Sequence, residues 1–385
     1  MRNPKIIRTS TVPMSLNLLL KGQLAYLSKD FEIIAVSSQG SDLDIVRERE
    51  NIVVKAVNME RGISPLKDLI SLIKMTFLLI REKPQIIHSI TPKAGLISML
   101  AGKIAGVPIR MHTFTGLIFP SKVGILQKIL IAMDKLLCWS ATNIYPEGQG
   151  VKNDLLKYDI TSKPLKVLAN GNVNGLDLNY FSKENFSNND ISHLKSSLGI
   201  SENDFVYIFV GRLVGDKGIR ELVAAFAELS TTNTKAKLIL VGTEEPDLDP
   251  LDDFTKQTID KLANIIPVGF QSDIRPYLLI SNVFVFPSYR EGFPNVVLQA
   301  SAMELPCIVS DINGSNEIIT DGVNGLVVPV RSMSHFKQAM IKLDHDREFY
   351  NSLKLNTRSL IISKFSNDLV WSATLKEYRD LLNKN

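Results

Sequence analysis

Residues 206–229 read VYIFVGRLVGDKGIRELVAAFAEL. The first five are apolar and have the length of a buried strand. A loop with glycines at 211, 215 and 218 follows, and from 218 to 229 the pattern takes a helical period. Strand, glycine loop and helix in that order form the opening of a β-α-β unit. The same alternation runs outward in both directions. Upstream, strand-like runs at 5–8, 31–37, 52–57, 86–89, 109–113 and 141–145 alternate with helical segments at 16–28, 66–82, 95–105 and 123–137. Downstream lie strand-like runs at 236–241, 264–268, 283–286, 307–310 and 326–328. Repeated β-α units imply parallel sheets covered by helices. The alternation breaks at 164–177, a stretch rich in Asn and Gly (ANGNVNGLD at 169–177), and a polar segment at 182–192 follows. The expectation is two doubly wound α/β domains, 1–170 and 171–367, joined by a linker near 170–200 and facing one another across a cleft. A last helix, 368–385, carries Trp371 and Tyr378 and either packs on its own domain or crosses back to the first.

Composition bounds the function. Of the 385 residues, 45% are apolar and 22% charged, enough for two cores and incompatible with wholesale disorder. Two cysteines, Cys138 and Cys307, exclude a disulfide framework and a Cys-based zinc site. The five histidines form no H-E-x-x-H pair. No stretch reads as a signal peptide or reaches the ~20 apolar residues of a membrane span, so a cytoplasmic protein is expected. Residues 1–170 hold 23 Lys/Arg and 13 Asp/Glu, whereas the remainder holds 21 and 27. A basic half joined to an acidic half points to an anionic partner for the first: a membrane surface, nucleic acid or a phosphorylated substrate.

In doubly wound sheets, ligands bind outside the carboxyl ends of the strands, so the loops after strands carry the information. In the first such loop Gly211 and Gly215 allow close backbone approach, and Arg212 and Lys217 stand beside a helix N-terminus. This is a chemically sensible diphosphate clamp: a forked guanidinium, a point-charge ammonium and helix-end amides. It is not a P-loop, because G-x-x-x-x-G-K-[ST] is absent. In the second, FPSYREGFPNVVLQ at 286–299, Arg290, Glu291 and Gly292 follow a strand. Pro294 suits the first position of a helix whose amides near Asn295 and Val296 face the loop. Glu291 and Gln299 suit hydrogen bonding to sugar hydroxyls. A third loop, 310–317, is rich in small polar residues. In the first half, His112 and Thr115 follow the strand at 109–113 and could sit at the cleft mouth, although a lone histidine is more often a satisfied structural residue than a catalyst, and Met14 and Ser15 lie in the opening loop. Two Asp-x-Asp triplets, Asp42–Asp44 and Asp247–Asp249, read as solvated charge-rich turns rather than metal ligands. For each loop the plainer alternative is a solvated turn or a capped surface helix.

Taken together, in this order and spacing, 210–218, 287–329, the segment NGNVNGLDLNYF at 170–181 and IHSITPKAG at 87–95 resemble the retaining glycosyltransferase family 4, of GT-B architecture. The first-domain segments are most similar to its capsular-polysaccharide and O-antigen branch. The resemblance implies that Arg212 and Lys217 bind the donor diphosphate and stabilise it as it leaves. Glu291 matches the first Glu of the family's E-x7-E motif, which contacts the donor sugar. The second Glu, which holds the ribose, falls on Gln299, a departure. Gly292, Phe293, Pro294, Asn295 and Val296 would lend amides to phosphate and sugar, Gly211 would admit the donor, and Gly269 and Phe270 would sit near the base. Many relatives carry Thr-x-His-Gly in the first domain. Here it reads Thr113-Phe-Thr-Gly116, so the catalytic His falls on Thr115, with His112 three residues earlier.

The implied activity is retaining, metal-independent transfer from a nucleotide-diphosphate sugar, expected to be UDP-linked, to a glycan acceptor carried on a polyprenyl diphosphate in capsule, O-antigen or exopolysaccharide synthesis. No cofactor and no metal are expected. The apolar, Lys-bearing segment 121–137 could lie against an anionic inner membrane face; a helix packed on its sheet explains it as well. No nucleic-acid partner is expected. No pair of carboxylates stands out for an ordinary glycosidase, and a dehydrogenase would need G-x-G-x-x-G after the first strand. A GT-B-type sugar-nucleotide epimerase or hydrolase and a catalytically weak sugar-nucleotide-binding protein remain alternatives.

Overall fold

The computed structural model describes residues 3–245 and 249–384. It contains two compact units: residues 1–175 with 367–385, and residues 176–366. In the first, β1 (Lys5–Thr9), α1 (Pro13–Leu19), α2 (Gln23–Leu27), β2 (Glu32–Ser37), α3 (Ser41–Glu50), β3 (Val53–Ala56), α4 (Pro65–Glu82), β4 (Ile86–Ser89), α5 (Pro92–Ile104), β5 (Ile109–Phe114), α6 (Gly124–Ser140), β6 (Asn143–Pro146) and α7 (Gln149–Lys157) follow in order. The second contains α8 (Asn188–Ser197), β7 (Phe205–Val210), α9 (Ile219–Thr232), β8 (Ala236–Val241), α10 (Asp253–Lys261), β9 (Ile265–Gly269), α11 (Arg275–Leu279), β10 (Val283–Phe286), α12 (Asn295–Ala302), β11 (Cys307–Ser310), α13 (Ser315–Ile318), β12 (Gly325–Val328), α14 (Met333–His345) and α15 (Arg347–Phe365). The chain then returns to the first unit as α16 (Asn367–Lys384).

The sheets are ordered β3-β2-β1-β4-β5-β6 and β12-β11-β10-β7-β8-β9, and every strand pair is parallel. Counted within its own unit, each has the Rossmann order, with a topological switch point between β1 and β4 in one and β7 and β10 in the other. Successive strand residues face opposite sides. Ile7, Ile34 and Ile87 therefore join one buried cluster with residues of α4, α5 and α6, while Ile6, Ile33 and Ile86 join another with residues of α1, α2, α3 and α16.

Four expectations are corrected. The helix expected over 16–28 is two helices, broken at Gly22, whose left-handed φ of 80° places it against the Trp371 ring. Asp42 and Asp44 lie in the first turn of α3, where acids complement the positive end of the helix dipole; Asp42 accepts from Asn17 Nδ2 at 2.5 Å and Asp44 pairs with Arg47 at 2.7 Å. In the other triplet Asp249 accepts from the Asp216 amide, and Asp247 lies outside the described residues. The units divide after Gly175 rather than Asn170. Gln23 Nε2 donates to the Val173 carbonyl at 2.9 Å, and Trp371 Nε1 donates to Asn174 Oδ1 at 2.8 Å, holding this segment to the first unit. The linker expected up to residue 200 is instead folded structure of the second unit: Arg358 donates to the carbonyls of Phe181 and Leu178 at 2.6 and 2.8 Å, and α8 follows.

The α16 helix is fastened to the first unit by a buried polar chain. Arg8 Nη1 donates to Tyr378 Oη at 2.7 Å and to Gln23 Oε1 at 3.1 Å. Tyr378 Oη lies 2.6 Å from His88 Nδ1, and His88 Nε2 lies 2.8 Å from Thr113 Oγ1. Burial and the Arg8 charge push the His88 pKa well down, so its imidazole is neutral. Because the Tyr378 oxygen accepts from Arg8, its proton goes to Nδ1, and His88 donates from Nε2 to Thr113.

Candidate active site

At the second unit's switch point, the loops after β7 and β10 interlock. Tyr289 N donates to the Asp216 carbonyl at 2.9 Å, and Arg290 Nη2 reaches Asp216 Oδ2 at 3.2 Å. Gly218, which precedes α9, has φ of 70°; a Cβ there would lie 2.2 Å from the Pro287 carbonyl oxygen, so only glycine permits this approach. The loop after β11 closes in from the other side: a Cβ on Gly314, φ 75°, would lie 2.4 Å from the Gly292 carbonyl oxygen. The three loops singled out in the sequence therefore meet at one place.

The charges inside are paired. Lys217 Nζ bonds Glu291 Oε1, which also accepts from Ser288 Oγ at 2.8 Å. Both charged side chains are well buried, at 16% and 17% exposure, and Lys217 lies 5.6 Å from the Phe286 ring. Arg212 is 46% exposed and pairs at 2.5 Å with Glu245, from the loop after β8. Behind them, Tyr289 donates to the Glu221 carboxylate at 2.6 Å; burial, followed by this carboxylate, pushes the phenol's pKa up and keeps it protonated. In the first turn of α12 the Val297 amide donates to the Pro294 carbonyl at 3.0 Å. Pro294 caps this helix rather than starting it; Asn295 is the first helical residue. Phe293 is buried against Phe365 and contributes packing together with backbone. The Gln299 side chain is half-buried and forms no hydrogen bond among the described residues. Gly211 donates its amide to the Val241 carbonyl at 2.9 Å, and Gly242 donates to that of Gly269 at 2.8 Å, which ties the loops after β7, β8 and β9 in sequence. Phe270 beside Gly269 is 74% exposed.

The first-unit candidates are arranged differently from the expectation. His112 is not at an open mouth. It is fully buried, bonded through Nδ1 to Ser89 Oγ at 2.8 Å and packed edge-on against Phe114, and burial holds its pKa down to about 3. A strand of a parallel sheet covered on both faces buries its side chains whichever way they point. Thr115 donates to the Ile90 carbonyl at 2.9 Å, joining the loops after β4 and β5. Met14 is exposed on α1, and Ser15 donates its amide to the Val12 carbonyl at 3.1 Å. Sequence reasoning missed Ser288, Glu245 and Glu221. Glu245 sits in a run of acids with nothing local to distinguish it. Ser288 could have been found from its place beside Glu291 at a strand end.

Two Rossmann-ordered units, one with paired cations and a partly buried carboxylate at its switch point, define a two-domain doubly wound α/β protein. The chain belongs to the glycosyltransferases of GT-B fold. Residues 14–147 match the family described as glycosyl transferase 4-like, and residues 190–360 match glycosyl transferases group 1. It is 31% identical over 387 residues to the capsular polysaccharide biosynthesis glycosyltransferase CapM of Staphylococcus aureus, covering 100% of this chain and 99% of the relative. It is 28% identical to the UDP-Gal:alpha-D-GlcNAc-diphosphoundecaprenol alpha-1,3-galactosyltransferase of Escherichia coli, over 80% and 78% of the two chains. The Anabaena HepE structure in complex with UDP superposes with a TM-score of 0.81 at 18% identity, covering 98% of this chain and 100% of that one. Among the described residues no helix is long and apolar enough to cross a membrane.

Proposed function

We propose that this enzyme is a retaining, metal-independent glycosyltransferase that moves a sugar from a UDP-sugar to a lipid-linked glycan in the synthesis of a capsule or related surface polysaccharide. The observation that carries the donor half is the Lys217–Glu291 pair, held with Arg212 at the switch point of the second unit. A diphosphate entering there meets one cation of low exposure, one exposed guanidinium and helix-end amides, which neutralise the charge that grows on the leaving group. Glu291, held by Ser288, is freed from Lys217 as the diphosphate takes its place and accepts from donor-sugar hydroxyls. As the glycosidic bond loosens, the acceptor hydroxyl attacks from the face the phosphate leaves, and a phosphate oxygen takes its proton. His112, buried and neutral, has no part in this scheme. The names of the relatives support the acceptor half: one is a capsular polysaccharide enzyme, and another acts on a sugar diphosphoundecaprenol. Such an acceptor requires work at the inner membrane face, which the basic first unit suits.

A thermal-shift screen tests the reading. UDP, GDP, ADP, dTDP and their sugar conjugates are compared with and without Mg²⁺, on the parent protein and on Lys217→Ala. The expected result is stabilisation by UDP and one UDP-sugar, independent of Mg²⁺ and much reduced in the variant. Stabilisation by none of the nucleotides overturns the transferase reading; dependence on Mg²⁺ overturns its metal-independent form.

A further inference from the structure

Tyr289 stands between the two side chains that tie the loops after β7 and β10 together. On one side of it in the chain, buried Ser288 donates from Oγ to Glu291 Oε1 at 2.8 Å. On the other, Arg290 reaches Asp216 Oδ2 at 3.2 Å, and the Tyr289 amide donates to the Asp216 carbonyl at 2.9 Å. The Tyr289 side chain is gripped separately, by two further elements. Its hydroxyl lies 2.6 and 2.7 Å from the two carboxylate oxygens of Glu221, in the first turn of α9, and donates to them. The Arg331 guanidinium, from the loop after β12, lies 4.5 Å from the centre of its ring.

Arg331 is the less expected of these partners. It is exposed, forms no ion pair or hydrogen bond among the described residues, and has a left-handed φ of 59°. That conformation strains a residue with a Cβ and suits glycine. Among the described residues, the one ring or charge its guanidinium meets is the Tyr289 ring.

Glu291 belongs to no helix or strand: β10 ends at Phe286 and α12 begins at Asn295. Its carboxylate bonds Lys217 and Ser288. When a diphosphate takes Lys217, Ser288 is left as the side chain holding Glu291, and Ser288 is itself fixed through its neighbour Tyr289. We propose that Tyr289, clamped by Glu221 and Arg331, is a positioning residue for the donor sugar: it keeps Ser288 and Glu291 in register once Lys217 has turned to the diphosphate. This rests on the transferase reading and adds three residues placed behind the clamp. UDP meets Arg212, Lys217 and backbone amides, and is insensitive to small shifts of Glu291. A UDP-sugar adds hydroxyls that bond Glu291, and such bonds weaken steeply with poor geometry.

The test is calorimetric titration of UDP, UDP-glucose, UDP-galactose and UDP-N-acetylglucosamine into the whole chain and three variants, with Tm measured alongside. The quantity read is the affinity for the tightest-binding of the three UDP-sugars divided by that for UDP. Tyr289→Phe breaks the Glu221 bond and keeps the ring. It should lower this ratio about fivefold, the order of one net hydrogen bond, while UDP affinity stays within about twofold. Arg331→Gly removes the guanidinium and suits the left-handed backbone. It should lower the ratio about threefold with Tm unchanged or raised. Glu221→Gln keeps an acceptor for the phenol and should hold the ratio within about twofold of the parent. An unchanged ratio in Tyr289→Phe overturns the proposal, and an unchanged ratio in Arg331→Gly removes Arg331 from it. Equal losses for UDP and the UDP-sugar together with a lower Tm also overturn it, because that is what support of the fold alone would give. If UDP binds the parent protein and none of the three UDP-sugars does, this inference fails and the nucleotide site stands; if UDP itself fails to bind, it is the transferase reading that falls.

Discussion

Lys217→Ala should damage nucleotide binding far more than Arg212→Ala, although both remove one positive charge from the same loop. The difference lies in exposure: 16% for the Lys217 side chain against 46% for Arg212. Two unit charges 4 Å apart interact by about 4 kcal/mol at the effective dielectric of a partly buried site and about 1 kcal/mol in water. Lys217 stands nearer the first limit. Part of its attraction is already spent on Glu291, which leaves roughly 2–3 kcal/mol for a diphosphate, or about 30–150-fold in affinity. Arg212 stands nearer the second limit and must leave Glu245, so its loss should cost about 1 kcal/mol, roughly fivefold. Removing Lys217 also leaves Glu291 buried, unpaired and facing an anion. The double variant Lys217→Ala/Glu291→Gln should therefore recover about tenfold of the affinity lost by Lys217→Ala alone. Calorimetric titration with UDP at 0.15 M salt reads all three. If Arg212→Ala costs as much as Lys217→Ala, or if the double variant binds no better than the single one, the burial argument is wrong.

Other expectations use the same structure. Glu245→Gln releases Arg212 from its exposed ion pair and should tighten UDP binding about two- to threefold, with a smaller gain at high salt. Tyr378→Phe leaves His88 Nδ1 without its partner and Arg8 with only Gln23; calorimetric unfolding should show a loss of about 2–4 kcal/mol, and an unchanged Tm would remove this polar chain from the account of the first unit's stability. The Asp134 carboxyl titrates near 7 when folded and near 3.8 when unfolded, so its contribution to stability is present at low pH and lost as pH rises through the folded value. Asp134→Asn should match the parent protein below pH 4 and gain steadily up to about pH 7. Discounted for its partial exposure, the plateau above that should be about 1 kcal/mol, and a gap of equal size at pH 4 and pH 8 would refute the assignment.

The alternation of strands and helices was legible because each element is local: five apolar residues and a glycine loop fix a strand and its exit. The clamp was half legible. Arg212 and Lys217 stand out beside glycines in sequence, and Glu291 by resemblance, but their pairing depends on β7 and β10 being neighbours, a property of topology. Glu245 reaches Arg212 because Gly211 is registered on Val241, which no local pattern records. Arg8 and Tyr378 are 370 positions apart; a tyrosine and a tryptophan on the last helix hinted at burial, without saying in which unit. Asp134 reads as one more charge on a helix, and only the wall of the apolar pocket it lines shows that it is partly desolvated and has no partner among the described residues. His112 is the packed structural histidine that a lone histidine most often is: in a sheet covered on both faces, a polar residue at a strand's carboxyl end is buried.

The two units repeat one topology, but their switch points differ in chemistry. In the first unit the crevice between the loops after β1 and β4 is occupied by its own hydroxyls. Thr11 Oγ1 lies 2.7 Å from Thr91 Oγ1, Thr91 accepts from the Thr11 amide at 2.8 Å, and Thr11 Oγ1 accepts from the Ala94 amide at 3.1 Å, consuming a first-turn donor of α5. A phosphate arriving there would have to displace neutral hydrogen bonds and would find no cation among these groups. At the equivalent place in the second unit, Lys217 and Glu291 fill the space with opposite charges that an anion can separate. On these contacts the second unit's switch point is the better suited of the two to receive an anion, although that unit is the more acidic. The first unit's surplus of positive charge lies away from its switch point, on Arg61 and Lys74 beside the loop after β3 and along exposed helices.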